Sequence, residues 1–283
     1  MAKTTPATLA LDKAVDDRLR SYPSWIAARN LSNEASDESV EALVTAVQGR
    51  YELARRWYRL KAKLLGVDKL ADYDRMAALS TSEDTVTWAQ GRDMVQDVYG
   101  SFSPELGDVV RQFFDDRWID APVREGKRGG AFCSYTVPSS HPFVMLNWTA
   151  RRRDILVLAH ELGHGVHAAL ARPQGVFHQS TPLTLAETAS VFGEELVFGR
   201  LLKETTDPEA RLALLAEAIE GQIATVFRQI AMNRYEHALH TARREEGELA
   251  VDRINELWLG SQQDMMGDAV EFSPGYETWW SYV

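Results

Sequence analysis

From Val40 onward the apolar residues Leu43, Val44, Val47, Tyr51, Ala54, Tyr58 and Leu65 recur every three to four positions, the interval that aligns side chains on one face of an α-helix. Ser36 offers a capping hydroxyl, Asp37 and Glu38 place acid in the first turn, and Gly66 supplies a stop. The pattern predicts one long amphipathic helix. A second helix is expected to open at Thr81, with Asp84 three residues on, and a third at Ser103, with Pro104 in its first position.

Between Asp120 and Asn147 the helical period fails. Gly126, Gly129, Gly130, Pro122, Pro138 and Pro142 interrupt it, leaving Ala131 to Val137 and Phe143 to Asn147 as short runs that read as a small β-hairpin. Helical periodicity returns from Arg151 to Ala171. Pro173, Gly175 and Pro182 then enclose a loop, and helices are expected from about Thr184 to Lys203, from Pro208 to Arg244 and from Val251 to Met265. The expected class is mainly α with a small β-hairpin or sheet. With no repeat or flexible linker, 1–283 reads as a single mostly helical unit: a helical portion at 1–120, the hairpin region at 121–150 and further helices at 151–283.

Composition narrows the function classes. Acidic residues outnumber Lys and Arg by 41 to 31, a formal charge of -10, so phosphate backbones and anionic lipid would repel the chain and nucleic acid is not an expected partner. Cys133 is the one cysteine and has no internal disulfide partner, which fits a reducing compartment. No apolar run approaches the roughly 18 residues of a membrane span, and the first residues lack the apolar core of a signal peptide. A soluble cytoplasmic protein without membrane partners is the expectation.

The chemistry concentrates in His160-Glu161-Leu162-Gly163-His164, inside the helix expected over Arg151 to Ala171. Residues four apart share a helix face, so both imidazoles can reach one metal ion. Glu161 points about 100° away round the axis, too far for the same ligand edge yet near enough to reach a water on the metal as general base. Ile155, Leu156, Val157, Leu158 and Ala159 make the helix a buried one, where two imidazoles without a metal would each need other partners. A catalytic zinc takes a third protein ligand and keeps a fourth position open. Glu187, 23 residues after His164 in the next expected helix, is the candidate; on pattern alone an exposed surface carboxylate describes it better. Glu194 either orients one of the histidines or is merely solvated. His167 shares the face of His160 and His164 but lies a turn beyond them, which suits packing or a hydrogen bond rather than ligation. His141, His178, His237 and His240 carry no metal spacing, Cys133 reads as a small buried hydrophobe, and Arg151-Arg152-Arg153 suggests salt bridges or a contact with a substrate carboxylate.

Four stretches resemble the oligoendopeptidase F branch of the thimet oligopeptidase family of zinc metallopeptidases. They are Ala71-Asp72-Tyr73-Asp74, Trp118 to Pro122 with Gly126 to Cys133, the His160 to His167 segment, and Ala186 to Ser190 followed by Glu194. The resemblance implies one zinc ion held by His160, His164 and Glu187, with Glu161 as base, and so reverses the pattern-only view of Glu187. It also implies a mainly helical fold enclosing the zinc in a channel between two lobes, and short peptides as substrates. Ala131 and Phe132, in the matching glycine-rich stretch, join Glu194 and His167 as residues expected either to support the metal ligands or to contact substrate. The hairpin is expected either to bind peptide along an open edge or to form a buried parallel core strand. Members of the family carry a further helical lobe before the region matching 1–20 and a His- and Tyr-containing segment beyond Trp279 to Val283, so the resemblance is to an internal portion of a catalytic domain. The expected function is a zinc-dependent metalloendopeptidase acting on short peptides. The alternative is a catalytically incomplete fragment that keeps the zinc site and binds peptides without efficient turnover.

Overall fold

A computed structural model describes residues 5–79 and 85–283. The first helices are α1 (Thr5–Leu19), α2 (Ala27–Ser32), α3 (Asp37–Gln48) and α4 (Tyr51–Leu65), followed by the short strand β1 (Leu70–Ala71). Next come α5 (Trp88–Phe102), α6 (Pro104–Asp115), β2 (Ile119–Pro122), β3 (Phe132–Ser134), β4 (Phe143–Trp148), α7 (Arg152–Ala171) and α8 (Leu183–Glu204). The chain ends through α9 (Pro208–Ile223), α10 (Gln229–Glu245), α11 (Val251–Met266) and β5 (Val270–Glu271). The architecture is mainly α with small sheets, as the hydrophobic pattern predicts. Among the described residues no helix is long and apolar enough to cross a membrane.

The chain forms two compact units, Met1–Leu79 with Ala213–Val283, and Ser80–Leu212, where the sequence pattern reads as one. The reason is a chain reversal that composition does not mark: the first helices share a core with the last ones. In that first unit Tyr51, Trp57, Tyr58 and Leu70 pack with Tyr235, Ile254, Trp258, Met265 and Tyr276, and β1 runs parallel to β5. The second unit builds its own core from Tyr99, Phe113, Val144, Leu146, Ile155, Leu158 and Leu162.

Several boundaries differ from the sequence expectation. The long helix after Ser36 is two helices, because the chain slips at Gly49 and Arg50: Arg50 has φ -118 and ψ 11, and its N–H reaches back only to Val47. Ser36 does cap α3, accepting from Ser39 N at 3.1 Å, and Gly66 does end α4 in the left-handed conformation at φ 72. The helix start expected at Thr81 and Asp84 lies outside the described residues. The observed α5 is capped by Thr87, whose hydroxyl accepts from Gln90 N while the Gln90 side chain accepts from Thr87 N, a reciprocal capping box. Ser103 caps α6 with Pro104 in its first position, as expected. The helix expected from Pro208 to Arg244 contains one turn of π-helix at Ala224–Arg228, between α9 and α10.

The hairpin is present, with β3 antiparallel to β4 (Phe132 opposite Met145, Ser134 opposite Phe143). The sequence pattern does not show the third strand: β2 pairs parallel with β4, giving the order β2-β4-β3. Thus β4 is the buried central strand, with Val144 and Leu146 each 1% exposed, and β3 is an edge. Lys127 pins the connecting loop from within. Its ammonium, on a side chain 4% exposed, donates to the carbonyls of Asp120, Pro122 and Leu146.

In the first unit, the His240 imidazole lies face to face with the Trp25 ring at 5.0 Å, its Nδ1 buried without a partner among the described residues. Burial, with Arg244 and Lys13 nearby, pushes its pKa down to about 4 against the opposing pull of Asp17. A depressed histidine disfavours the folded state once protons are available, so its cost develops as pH falls from about 6.5 to about 4. Relative to a His240→Phe variant, the protein is expected to lose melting temperature over that window. Parallel acid limbs for the two proteins would refute the assignment.

Candidate metal centre

Helix α7 turns its apolar side, Ile155, Leu158, Ala159, Leu162 and Val166, into the core of the second unit. Its start is fixed by Asp154, whose Oδ2 accepts from the N–H groups of Thr149 and Arg151. His160 and His164 then fall one turn apart at the border of the core, ring centroids 5.0 Å apart. Helix α8 supplies the third group. Glu187 Oε2 lies 3.1 Å from His160 Nε2 and 3.3 Å from His164 Nε2.

Two glycines allow α7 and α8 to approach this closely. A Cβ on Gly163 would stand 2.4 Å from the Ala189 carbonyl oxygen and 2.6 Å from Ser190 Cα. One on Gly193 would stand 1.7 Å from the Tyr99 hydroxyl, which occupies that space and donates to the Ala159 carbonyl at 2.8 Å, one residue before His160. Fully buried Ser190 donates to Glu187 Oε2 at 2.7 Å and so aims the carboxylate. Tyr99 and Ser190 therefore position the site although neither carries its chemistry, and no spacing in the sequence marks them.

The carboxylate of Glu194 lies 3.1 Å from His160 Nδ1, which fixes the proton on Nδ1 and leaves the Nε2 lone pair facing Glu187 and His164. That hydrogen bond is the main cause raising the His160 pKa, against burial. His164 shifts the other way, lowered chiefly by burial. Burial drives Glu161 up to about 7, with the His160 charge opposing, and its Oε2 has no hydrogen-bond partner among the described residues. Glu187 is 60% exposed at its side chain, yet its carboxylate touches both imidazoles, because the pocket they line opens to solvent.

The pocket measures about 500 Å³ and is lined by the three clustered residues and Glu161 together with Ala131, Phe132, Cys133, Tyr135 and Thr181. Ala131 and Phe132, read from the sequence as supporting the metal ligands or contacting substrate, stand in its wall. His167 is outside the cluster, its Nε2 3.2 Å from Thr181 Oγ1. Cys133 is half-buried rather than buried, and burial pushes its thiol up to about 12, so it offers no thiolate nucleophile. His141 stacks on Trp118 at 4.1 Å, His178 is exposed, and His237 and His240 pack on Trp25. The arginines at 151–153 do not line the pocket. The sequence reading missed Tyr135 and Thr181, which lie in loops without periodicity.

One ligand atom each from His160, His164 and Glu187 all fall within 4.8 Å of one another. Two imidazole nitrogens and one carboxylate oxygen form a donor set suited to catalytic zinc, with room for a further ligand. The sequence profile of peptidase family M3 matches residues 7–281. The chain belongs to peptidase family M3. Among curated members of similar sequence, oligoendopeptidase F (chromosomal) of Lactococcus lactis subsp. cremoris is 28% identical over 267 residues, and group B oligopeptidase PepB of Streptococcus agalactiae is 30% identical over 251. Those alignments take in 94% and 88% of this chain but only 44% and 42% of the relatives, so this M3 chain spans under half their length. The fold is shared with a solved structure from Chlamydophila abortus (TM-score 0.85, 24% identity, 99% of this chain and 48% of the other). It is shared also with oligoendopeptidase-F from Enterococcus faecium (TM-score 0.70, 21% identity, 99% and 43%).

Proposed function

We propose that this M3 chain carries the catalytic centre of a zinc-dependent metalloendopeptidase acting on short peptides. The observation that carries the reading is the convergence of His160, His164 and Glu187 within 4.8 Å, beside a buried Glu161 whose Oε2 has no partner among the described residues. His160, His164 and Glu187 would hold a zinc ion, which would supply Lewis acidity toward the scissile carbonyl and lower the pKa of a bound water toward about 7. Glu161 accepts the proton of the attacking water and returns it to the leaving amine. Glu194 holds His160 in the tautomer that frees Nε2, and Ser190 orients Glu187. The open edge of β3 beside the pocket offers unpaired backbone groups along which an extended peptide can add a strand. A peptide has to be extended to do so, which favours short chains over folded proteins.

The purified chain is expected to bind about one equivalent of zinc by elemental analysis. A His160→Ala, His164→Ala double variant should lose it, and Glu187→Ala should hold it weakly; unchanged metal content in the double variant would overturn the site. The alternative reading, a zinc site that binds peptide without efficient turnover, rests on the match covering less than half of each relative. A quenched fluorescent peptide separates the two. Turnover that requires zinc and Glu161 supports the peptidase, whereas peptide binding with no zinc-dependent cleavage selects the alternative.

A further inference from the structure

Tyr135 stands in the wall of the metal pocket, and none of the roles above uses it. It directly follows β3, and the residue after it, Thr136, is held at φ 56. A β-branched side chain adopts this left-handed backbone only where its surroundings over-determine it. Here they do. Thr136 Oγ1 donates to the His141 carbonyl at 2.8 Å, and His141 is itself stacked on Trp118. The side-chain amide of Gln179, a residue 6% exposed, donates to the Thr136 carbonyl at 3.0 Å. Arg172 Nε ties the same loop at the Pro138 carbonyl, also at 3.0 Å.

The effect of this lock is to fix the direction of the neighbouring side chain. The Tyr135 ring meets His167 edge-on at 6.2 Å, and its phenol, on a residue in the pocket wall, lies within electrostatic range of Glu187. That hydroxyl makes no hydrogen bond with the described residues. Burial, with Cys133 and Glu187 nearby, pushes the phenol up to about 12, so at neutral pH it keeps its proton to donate. Strained backbone, a buried amide spent on holding it, and an unused donor on the pocket wall near Glu187 describe a group prepared for a ligand.

We propose that Tyr135 is a substrate-binding residue, its hydroxyl donating a hydrogen bond to a backbone carbonyl of the peptide in the metal pocket, and that Gln179 positions it through Thr136. The proposal rests on the peptidase reading above. The test is made on the zinc-loaded chain carrying Glu161→Gln, so that peptide is not consumed, using the fluorescence anisotropy of a dye-labelled alanine-rich oligopeptide. Adding Tyr135→Phe keeps the ring packed on His167 and is expected to weaken binding about tenfold, the effect of one lost hydrogen bond, at unchanged zinc content and melting temperature. Gln179→Ala should weaken binding in the Tyr135 protein and add little in the Tyr135→Phe protein, because it acts through that side chain. Equal affinity with Tyr135 and with Tyr135→Phe overturns the proposal and leaves the peptidase reading intact. Equal weakening by Gln179→Ala in both backgrounds overturns the positioning role. A zinc-loaded parent that neither binds nor cleaves peptide overturns both readings together.

Discussion

Glu161→Gln is expected to abolish zinc-dependent peptide hydrolysis while leaving zinc content unchanged. The amide keeps the shape of the carboxylate but cannot take a proton at neutral pH, and a positioned general base contributes about 10²–10⁴ in rate. The metal should stay, because the donors proposed for it are His160, His164 and Glu187, and Glu161 is not part of that cluster. Stability gives a second readout. The folded metal-free protein holds the Glu161 acid at about 7 against an ordinary 4.5, so between those values the folded state binds more protons than the unfolded one. Stability contributed by this group therefore falls as pH rises from 4.5 to about 7, and the cost is fully present above that. Chelator-treated Glu161→Gln, which has no charge to bury, should melt higher than the parent at about pH 8, with the gap closing toward about pH 5. Loss of zinc from this variant would make Glu161 a ligand and overturn the assignment.

The second large effect is expected from a residue that carries no reacting group. Gly163→Ala should lower stability by about 1–3 kcal/mol or more and weaken zinc binding as well, although a methyl group is all that changes. Its Cβ would meet the Ala189 carbonyl oxygen at 2.4 Å and Ser190 Cα at 2.6 Å, and backbone atoms cannot swing aside as a side-chain tip can. The two helices must separate. Ala189 and Ser190 lie within a turn of Glu187, so the separation draws that carboxylate away from His160 and His164, and the Ser190 hydroxyl moves with it. Gly199→Ala, on the same α8 with nothing within 4 Å of its Cβ, is the control and should be neutral or stabilising by about 0.5–1 kcal/mol. Thermal melts and zinc titration of the two variants decide the point. Equal behaviour would mean that helix separation does not govern the site.

The helices were legible where periodicity and end signals agreed. Ser36 and Ser103 cap where their hydroxyls precede an amphipathic run, and α7, α8 and α11 fall within one or two residues of the expected bounds. The break at Gly49 and Arg50 was hidden because the three-to-four spacing of Val47, Tyr51 and Ala54 continues across it. The strand β2 was hidden for a different reason. Its four residues alternate too briefly to register, and its partner β4 follows some twenty positions later, so the pairing is non-local.

The candidate site divides the same way. Its imidazole pair is a property of the sequence, because four residues on one helix fix the spacing of His160 and His164 whatever surrounds them. The same holds for the direction of Glu161, and the acidic balance and the lone Cys133 likewise need no structure. What the chain order leaves open is every relation between α7 and α8. Whether Glu187 was a solvated carboxylate or a partner of the two imidazoles depended on helix separation, and that is set by Gly163, Gly193 and the Tyr99 hydroxyl meeting in space. The loop conformation at Thr136, beside Tyr135, depended in the same way on a buried amide from Gln179, 43 positions beyond Thr136. Local sequence determined spacing along one helix because backbone geometry is fixed. Distances between helices were decided only by packing, where the absence of a single Cβ sets how near two backbones can come.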